Sequence, residues 1–190
     1  MRVLILDFED SFTYNIFSTL KSMNIEVEIL NYREFQIDMG EYFSHIILGP
    51  GPGHIEDYVD FSFVVSKLIL DSLSEKIKLI GICLGHQLIQ HELGRSISRL
   101  ETPIHGQSQS IFFPDSNALV KELRSRELEV QLYNSWAVRP RDIDYNFDLE
   151  ILGSEGEVLA SISKNIVTYQ FHCESIGTSC QQELFSQILV

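Results

Sequence analysis

The sequence predicts an α/β fold: an open, mostly parallel sheet flanked by helices, with a strand-rich extension. Three observations carry this reading. Short, largely apolar runs at residues 3–6, 45–48 and 77–82, the first of them wholly apolar, have the length and composition of strands buried on both faces. Segments with apolar residues at helical spacing lie between them. Beyond residue 104 the pattern changes to brief alternating pieces joined by polar turns, so strands outnumber helices in the second half.

Each element follows in order. After the strand at 3–6, Asp10-Ser11-Phe12 leads into a helix whose apolar positions are Tyr14, Phe17, Leu20 and Met23. Residues 25–30 alternate apolar and acidic and form a second strand. The third, 45–48, ends in Gly49-Pro50-Gly51-Pro52-Gly53, a turn dense in breakers. Residues 61–73 are helical by periodicity, and 77–82 form a fourth buried strand. The later strands fall at 111–113, 128–133, 149–152, 158–162 and 166–171, with a last helix at 181–189. No internal repeat, low-complexity tract or linker divides the chain, so one domain over residues 1–190 is expected.

Composition excludes several classes of function. A formal net charge of -13 leaves no clustered Lys and Arg for a nucleic-acid footprint. No apolar run approaches a membrane span, and Asp7 interrupts the opening before a signal-peptide core could form, so a cytoplasmic protein is expected. Cys83, Cys173 and Cys180 are an odd set without paired ligand spacing. They suggest a catalytic or buried thiol rather than a disulfide framework or a zinc site.

The segment richest in chemistry is Gly81-Ile82-Cys83-Leu84-Gly85-His86-Gln87. A cysteine with glycine two residues away on each side fits a nucleophile elbow, a sharp strand-to-helix turn whose neighbours must lack side chains. There the thiol would stand at the carboxyl end of a parallel sheet, near a helix N-terminus that favours the thiolate, and the Leu84 N–H could serve an oxyanion. A small buried hydrophobe at a tight turn is the competing reading.

Tyr169-Gln170-Phe171-His172-Cys173-Glu174-Ser175 tips the balance. Read as the close of a strand, it puts His172 and Glu174 on one face, a carboxylate orienting an imidazole that serves as base to a thiol. Alternation would send Cys173 the other way. The turn at Gly49–Gly53 could add backbone N–H groups for a developing oxyanion; phosphate cradling is disfavoured, because no Lys-Ser/Thr pair follows the glycines.

Taken together these segments resemble the class I, triad-type glutamine amidotransferases, most closely the small subunits of anthranilate and aminodeoxychorismate synthases. The match runs nearly the whole length and includes Leu6-Asp7-Phe8-Glu9-Asp10-Ser11-Phe12-Thr13-Tyr14-Asn15, the glycine-proline turn and the Cys83 segment. The resemblance implies Cys83, His172 and Glu174 as catalytic residues. It implies glutamine held by the loop of Gly51, Pro52 and Gly53, by Gln87, and by the backbone around Ser135 and Trp136. It implies no metal or organic cofactor. Its ammonia would pass to the large subunit of a chorismate-using synthase, since no second domain that could bind an acceptor is read in this sequence. Four positions depart from the family pattern: Cys173 where proline is usual, Asn134 where histidine is usual, Trp136 where leucine is usual, and Gln107 where lysine is usual. They leave two rivals open, a partner subunit with little glutaminase activity and a stand-alone cysteine amidohydrolase.

Overall fold

The computed structural model of the protein describes residues 1–115, 120–141 and 143–189. Its centre is a seven-stranded sheet built from β1 (Arg2–Asp7), β2 (Glu26–Asn31), β3 (His45–Leu48), β4 (Lys78–Ile82), β9 (Leu149–Leu152), β10 (Val158–Ile162) and β11 (Ile166–Tyr169). The order across it is β2-β1-β3-β4-β11-β10-β9. Neighbours from β2 to β11 run parallel, and the last two strands are antiparallel additions. The remaining strands form two small ribbons, β5 (Ile97–Arg99) with β8 (Trp136–Val138) and β6 (Gln107–Phe113) with β7 (Arg126–Leu132).

Period-two alternation divides the core into two layers. Val3 and Ile5 of β1 face one cluster, with Ile16 and Leu20 of α1 (Thr13–Ser22) and Leu184, Phe185 and Ile188 of α4 (Gln181–Leu189). Leu4 and Leu6 face the other, with Val65, Leu68 and Ile69 of α2 (Ser62–Leu73) and Leu88 and Ile89 of α3 (Leu84–Glu92). Central strands covered on both faces cannot alternate polar with apolar, which is why they read as continuous apolar runs. Among the described residues no helix is long and apolar enough to cross a membrane.

The expected architecture is present, and several boundaries are corrected. In α1 the buried face is Thr13, Ile16 and Leu20, with Phe17 and Met23 packed partly against the core, whereas Tyr14 is 64% exposed. The expected helix at 61–73 is α2 preceded by a 3-10 stretch at Ile55–Phe61, started by a reciprocal cap between His54 and Asp57. β6 starts four residues before the expected strand, and the short β5 and β8 were not anticipated. Three residues are too few to establish a period, so such ribbons are held by pairing across the chain.

β11 stops at Tyr169 instead of reaching Phe171. His172 and Glu174 therefore sit in a turn, closed by the Ser175 N–H donating to the His172 carbonyl at 3.1 Å, and not on a strand face.

Candidate active site

The chain order reverses between β1 and β3, and the loops leaving the carboxyl ends of β1, β3, β4 and β11 meet there. Cys83 ends β4 and caps α3 with φ 54° and ψ -103°, a strained backbone for any residue but glycine. Its flanks need glycine for steric reasons. A Cβ on Gly85 would lie 2.0 Å from the Leu48 carbonyl oxygen, and one on Gly81 would lie 2.6 Å from the Gly85 carbonyl oxygen. The turn is closed by the Cys83 N–H donating to Tyr169 at 2.8 Å and the Gln87 N–H donating to Cys83 at 3.1 Å.

The glycine-proline loop docks directly beside this elbow. The Gly85 N–H donates to the Gly49 carbonyl at 3.2 Å, and the Tyr58 hydroxyl donates to the Pro52 carbonyl at 2.7 Å. A Cβ on Gly51 would lie 2.4 Å from Leu84 Cδ2. No backbone carbonyl among the described residues accepts from the N–H of Gly51 or Leu84. Two donors are thus left next to the thiol, at the N-terminus of α3.

His172 reaches the same point from the end of β11, the strand paired with β4. Its N–H donates to the Gln131 carbonyl at 2.9 Å and its carbonyl accepts from the Thr178 hydroxyl at 2.7 Å, so β7 helps to hold the turn. The ring bonds Glu174 Oε1 through Nδ1 at 2.6 Å, and Cys83 lies near enough for its charge to act on the ring. Both side chains are buried. Burial by itself favours the neutral ring. The nearby Cys83 sulfur, then the bond and charge of Glu174, outweigh it and hold the imidazolium well above its ordinary range. Phe12 and Tyr133 flank the ring at centroid distances of 4.6 and 5.0 Å, contacts that sequence reasoning did not anticipate.

A cleft of about 630 Å³ opens over Cys83, lined by all of Gly51, Pro52, Gly53, Leu84, Gln87, Ser135 and Trp136. His172 and Glu174 lie behind it. Sequence reasoning did not assign Asp10, His54, Asp57, Arg99 or Tyr133 to its walls, and it named Asn134, also on them, only as a departure from the family pattern. Asp10 falls in the opening segment already quoted. His54 packs on the Trp136 ring at 4.0 Å. Gln87 Nε2 donates to the Trp136 carbonyl at 2.9 Å and to Gln170 Oε1 at 3.0 Å. Both of its hydrogens are thereby engaged, and it can offer a ligand only an acceptor.

The departures from the family pattern take different places. Asn134 is buried and donates to the Trp136 carbonyl at 3.0 Å. Gln107 is exposed at the first residue of β6, opposite Leu132. Cys173 is fully buried, close enough to Glu174 for that carboxylate to act on its thiol. Burial, and then the neighbouring Glu174 carboxylate, push the thiol well above its ordinary range. The turn, which brings i and i+1 side chains onto neighbouring sides, replaces strand alternation here. All three cysteines are free. Among the described residues the Cys173 N–H donates to no backbone carbonyl, so nothing in the ladder is lost with proline. Cys173→Pro is expected to keep glutamate release within about twofold of wild type and stability within about 1 kcal/mol. Steady-state kinetics and a thermal melt check both.

His86, behind the elbow, is fully buried, and neither ring nitrogen has a hydrogen-bond partner. Desolvation, opposed slightly by the nearby Val158 backbone and reinforced by Arg95, lowers its pKa to about 3. Below the ordinary value of 6.5 the unfolded chain binds a proton that the folded one refuses. Stability from this residue should therefore fall by up to about 1.4 kcal/mol per pH unit as the pH drops from 6.5 toward about 3. Urea melts across this range should show a shallower pH slope for His86→Met than for wild type; equal slopes would refute it.

A family model described as glutamine amidotransferase class-I matches residues 4–190. A putative anthranilate synthase component II of Haemophilus influenzae is 29% identical over 92% of this chain and 89% of its own. An anthranilate synthase component 2 of Leptospira biflexa is 31% identical over 94% of each. Among solved structures, a putative GMP synthase component of Thermoplasma acidophilum superposes with a TM-score of 0.84 at 20% identity, covering 100% of this chain and 92% of that one. A glutamine amidotransferase of Thermotoga maritima gives 0.68 at 22% identity, covering 92% and 76%.

Proposed function

Because the chain belongs to the class I glutamine amidotransferase family, we propose that it is the cytoplasmic glutaminase component of a chorismate-using synthase, of anthranilate or aminodeoxychorismate type. The observation that carries the reading is Cys83 on its strained turn at a cleft, with the bonded His172–Glu174 pair close behind it and two backbone donors beside it that no backbone carbonyl among the described residues engages. Support for the synthase comes from relatives named component II, among them an aminodeoxychorismate/anthranilate synthase component 2 of Bacillus subtilis at 29% identity over 98% of this chain and 95% of its own.

In this mechanism Cys83 attacks the side-chain amide carbon of glutamine as a thiolate. The new oxyanion accepts from the N–H groups of Leu84 and Gly51, and the positive end of α3 favours its charge. The His172 imidazolium gives its Nε2 proton to the departing nitrogen, so ammonia leaves and a glutamyl thioester remains. His172, now neutral, takes a proton from water as that water attacks. The collapsing intermediate expels the thiolate, and glutamate is released. Glu174 holds the ring in one tautomer throughout. Gln87 Oε1, with its amide hydrogens engaged elsewhere, serves as an acceptor for the substrate ammonium.

The test is glutamate release from glutamine, assayed with and without the large component of a chorismate-using synthase, together with formation of the aminated product. Release that rises when the large component is present, and that supports amination, is the expected result. Hydrolysis of other amides or esters in preference to glutamine would favour a stand-alone hydrolase, and amination from ammonia alone a non-catalytic partner.

A further inference from the structure

The sulfur of Cys83 has a second polar neighbour that this mechanism leaves unused. Gln170 directly follows β11, is fully buried, and its Nε2 lies 3.8 Å from Cys83 Sγ. Its own N–H donates to the Leu159 carbonyl at 2.8 Å, and the Cys83 N–H donates to the Tyr169 carbonyl at 2.8 Å. The amide and the sulfur are therefore rooted on paired strands.

Elimination orients the amide. The Trp136 carbonyl can only accept, so Gln87 must turn its NH₂ group toward it at 2.9 Å. The second Gln87 hydrogen then meets Gln170 at 3.0 Å, which must answer with Oε1. What remains to face the sulfur is the Gln170 NH₂ group.

We propose that Gln170 is a positioning residue for the nucleophile: its amide N–H holds the Cys83 sulfur in the thiolate form, and Gln87 with the Trp136 carbonyl lock that amide in the donating orientation. The inference rests on the reading of Cys83 as nucleophile and adds a residue to it. A charged acceptor binds an N–H more strongly than a neutral one, so this donor favours thiolate over thiol. His172 differs from it in kind. The imidazolium surrenders its proton to ammonia, whereas a neutral amide keeps its hydrogens and is still in place when the thioester breaks and the sulfur departs as an anion.

The experiment is the pH dependence of Cys83 alkylation by iodoacetamide, quantified by peptide mapping, together with glutamate-release kinetics. Gln170→Met keeps the length and apolar bulk but removes the donor. Its alkylation midpoint should move up by about one pH unit, with kcat roughly tenfold lower and KM within about twofold, as expected for losing one hydrogen bond to a charge. Gln170→Glu, which puts a negative charge beside the sulfur, should move it further. Gln87→Met leaves Gln170 in place but frees its amide to turn, so a smaller shift of the same sign is expected; this variant decides the matter if circular dichroism shows Gln170→Met unfolded. An unchanged midpoint in folded Gln170→Met, or in Gln87→Met when that variant decides, overturns the proposal. Alkylation reads the thiolate whether or not glutamate is released. A wild type inactive on glutamine would thus refute the proposed function and still leave the role of Gln170 measured.

Discussion

Cys83→Ser should abolish glutamine hydrolysis, with kcat reduced on the order of 10⁴-fold, while amination by the assembled synthase continues when ammonia is supplied. The reason is chemical, because the substitution is nearly isosteric at a site where geometry is otherwise unforgiving. A serine hydroxyl would sit on the same strained turn, with the same glycine flanks and the same two N–H donors. It would form an alkoxide far less readily than the thiol forms a thiolate, and His172 is held as the imidazolium by the sulfur charge itself. Replacing the sulfur therefore removes both the nucleophile and part of what keeps its acid protonated. Retained glutaminase activity in the folded variant would sink the assignment, and loss of ammonia-dependent amination as well would point to damage at the interface.

His172→Ala should cost nearly as much, and Glu174→Gln less, roughly 10²-fold. The ring supplies both proton transfers, whereas the carboxylate acts through the ring. Glu174 contributes in two ways, a 2.6 Å bond that selects the tautomer and a negative charge that helps to keep the imidazolium protonated. An amide keeps some of the first and none of the second. The pKa of His172 is raised, so the protonated ring is present at neutral pH and is lost as pH climbs through the elevated value. Glu174→Gln lowers that value, and the alkaline limb of the glutaminase profile should move to lower pH by about one unit. If kcat and the alkaline limb both stayed where they are in wild type, the site would work as a Cys83–His172 dyad.

Much of this site was legible in one dimension because its constraints are local. A Cβ on Gly81 would clash with Gly85 within one turn, so that spacing carries local geometry, whereas Gly85 is kept bare by the Leu48 carbonyl of β3. The breakers from Gly49 to Gly53 mark a loop for the same reason. His172 and Glu174 were found as a pair for a reason that the fold corrects: they meet through a turn after β11, not through the alternation of a strand. The same turn, and not strand alternation, sets the surroundings of Cys173, which is buried with the Glu174 charge acting on its thiol. In α1 only Tyr14 was misplaced, since Tyr14 and Ile16 are both apolar and only packing against β1 and α4 decides which is buried; Leu20 is buried and Phe17 and Met23 pack on the core as expected.

By itself, then, the sequence determined the α/β class, the buried strands and the tight turn at Cys83, because each is set by period, backbone sterics or residue chemistry over a few positions. Tertiary structure decided what depends on distant segments meeting. It chose the strand order that gathers four loops at the carboxyl edge of the sheet, and it pinned the His172 turn to Gln131 of β7 and to Thr178. It also joined Trp136, Gln87 and Gln170 into a line of amides ending at the sulfur. Those contacts span between 49 and 87 positions along the chain. Hydrogen bonds over such separations leave no period or local spacing in the sequence, so they become visible only once the sheet has brought their ends together.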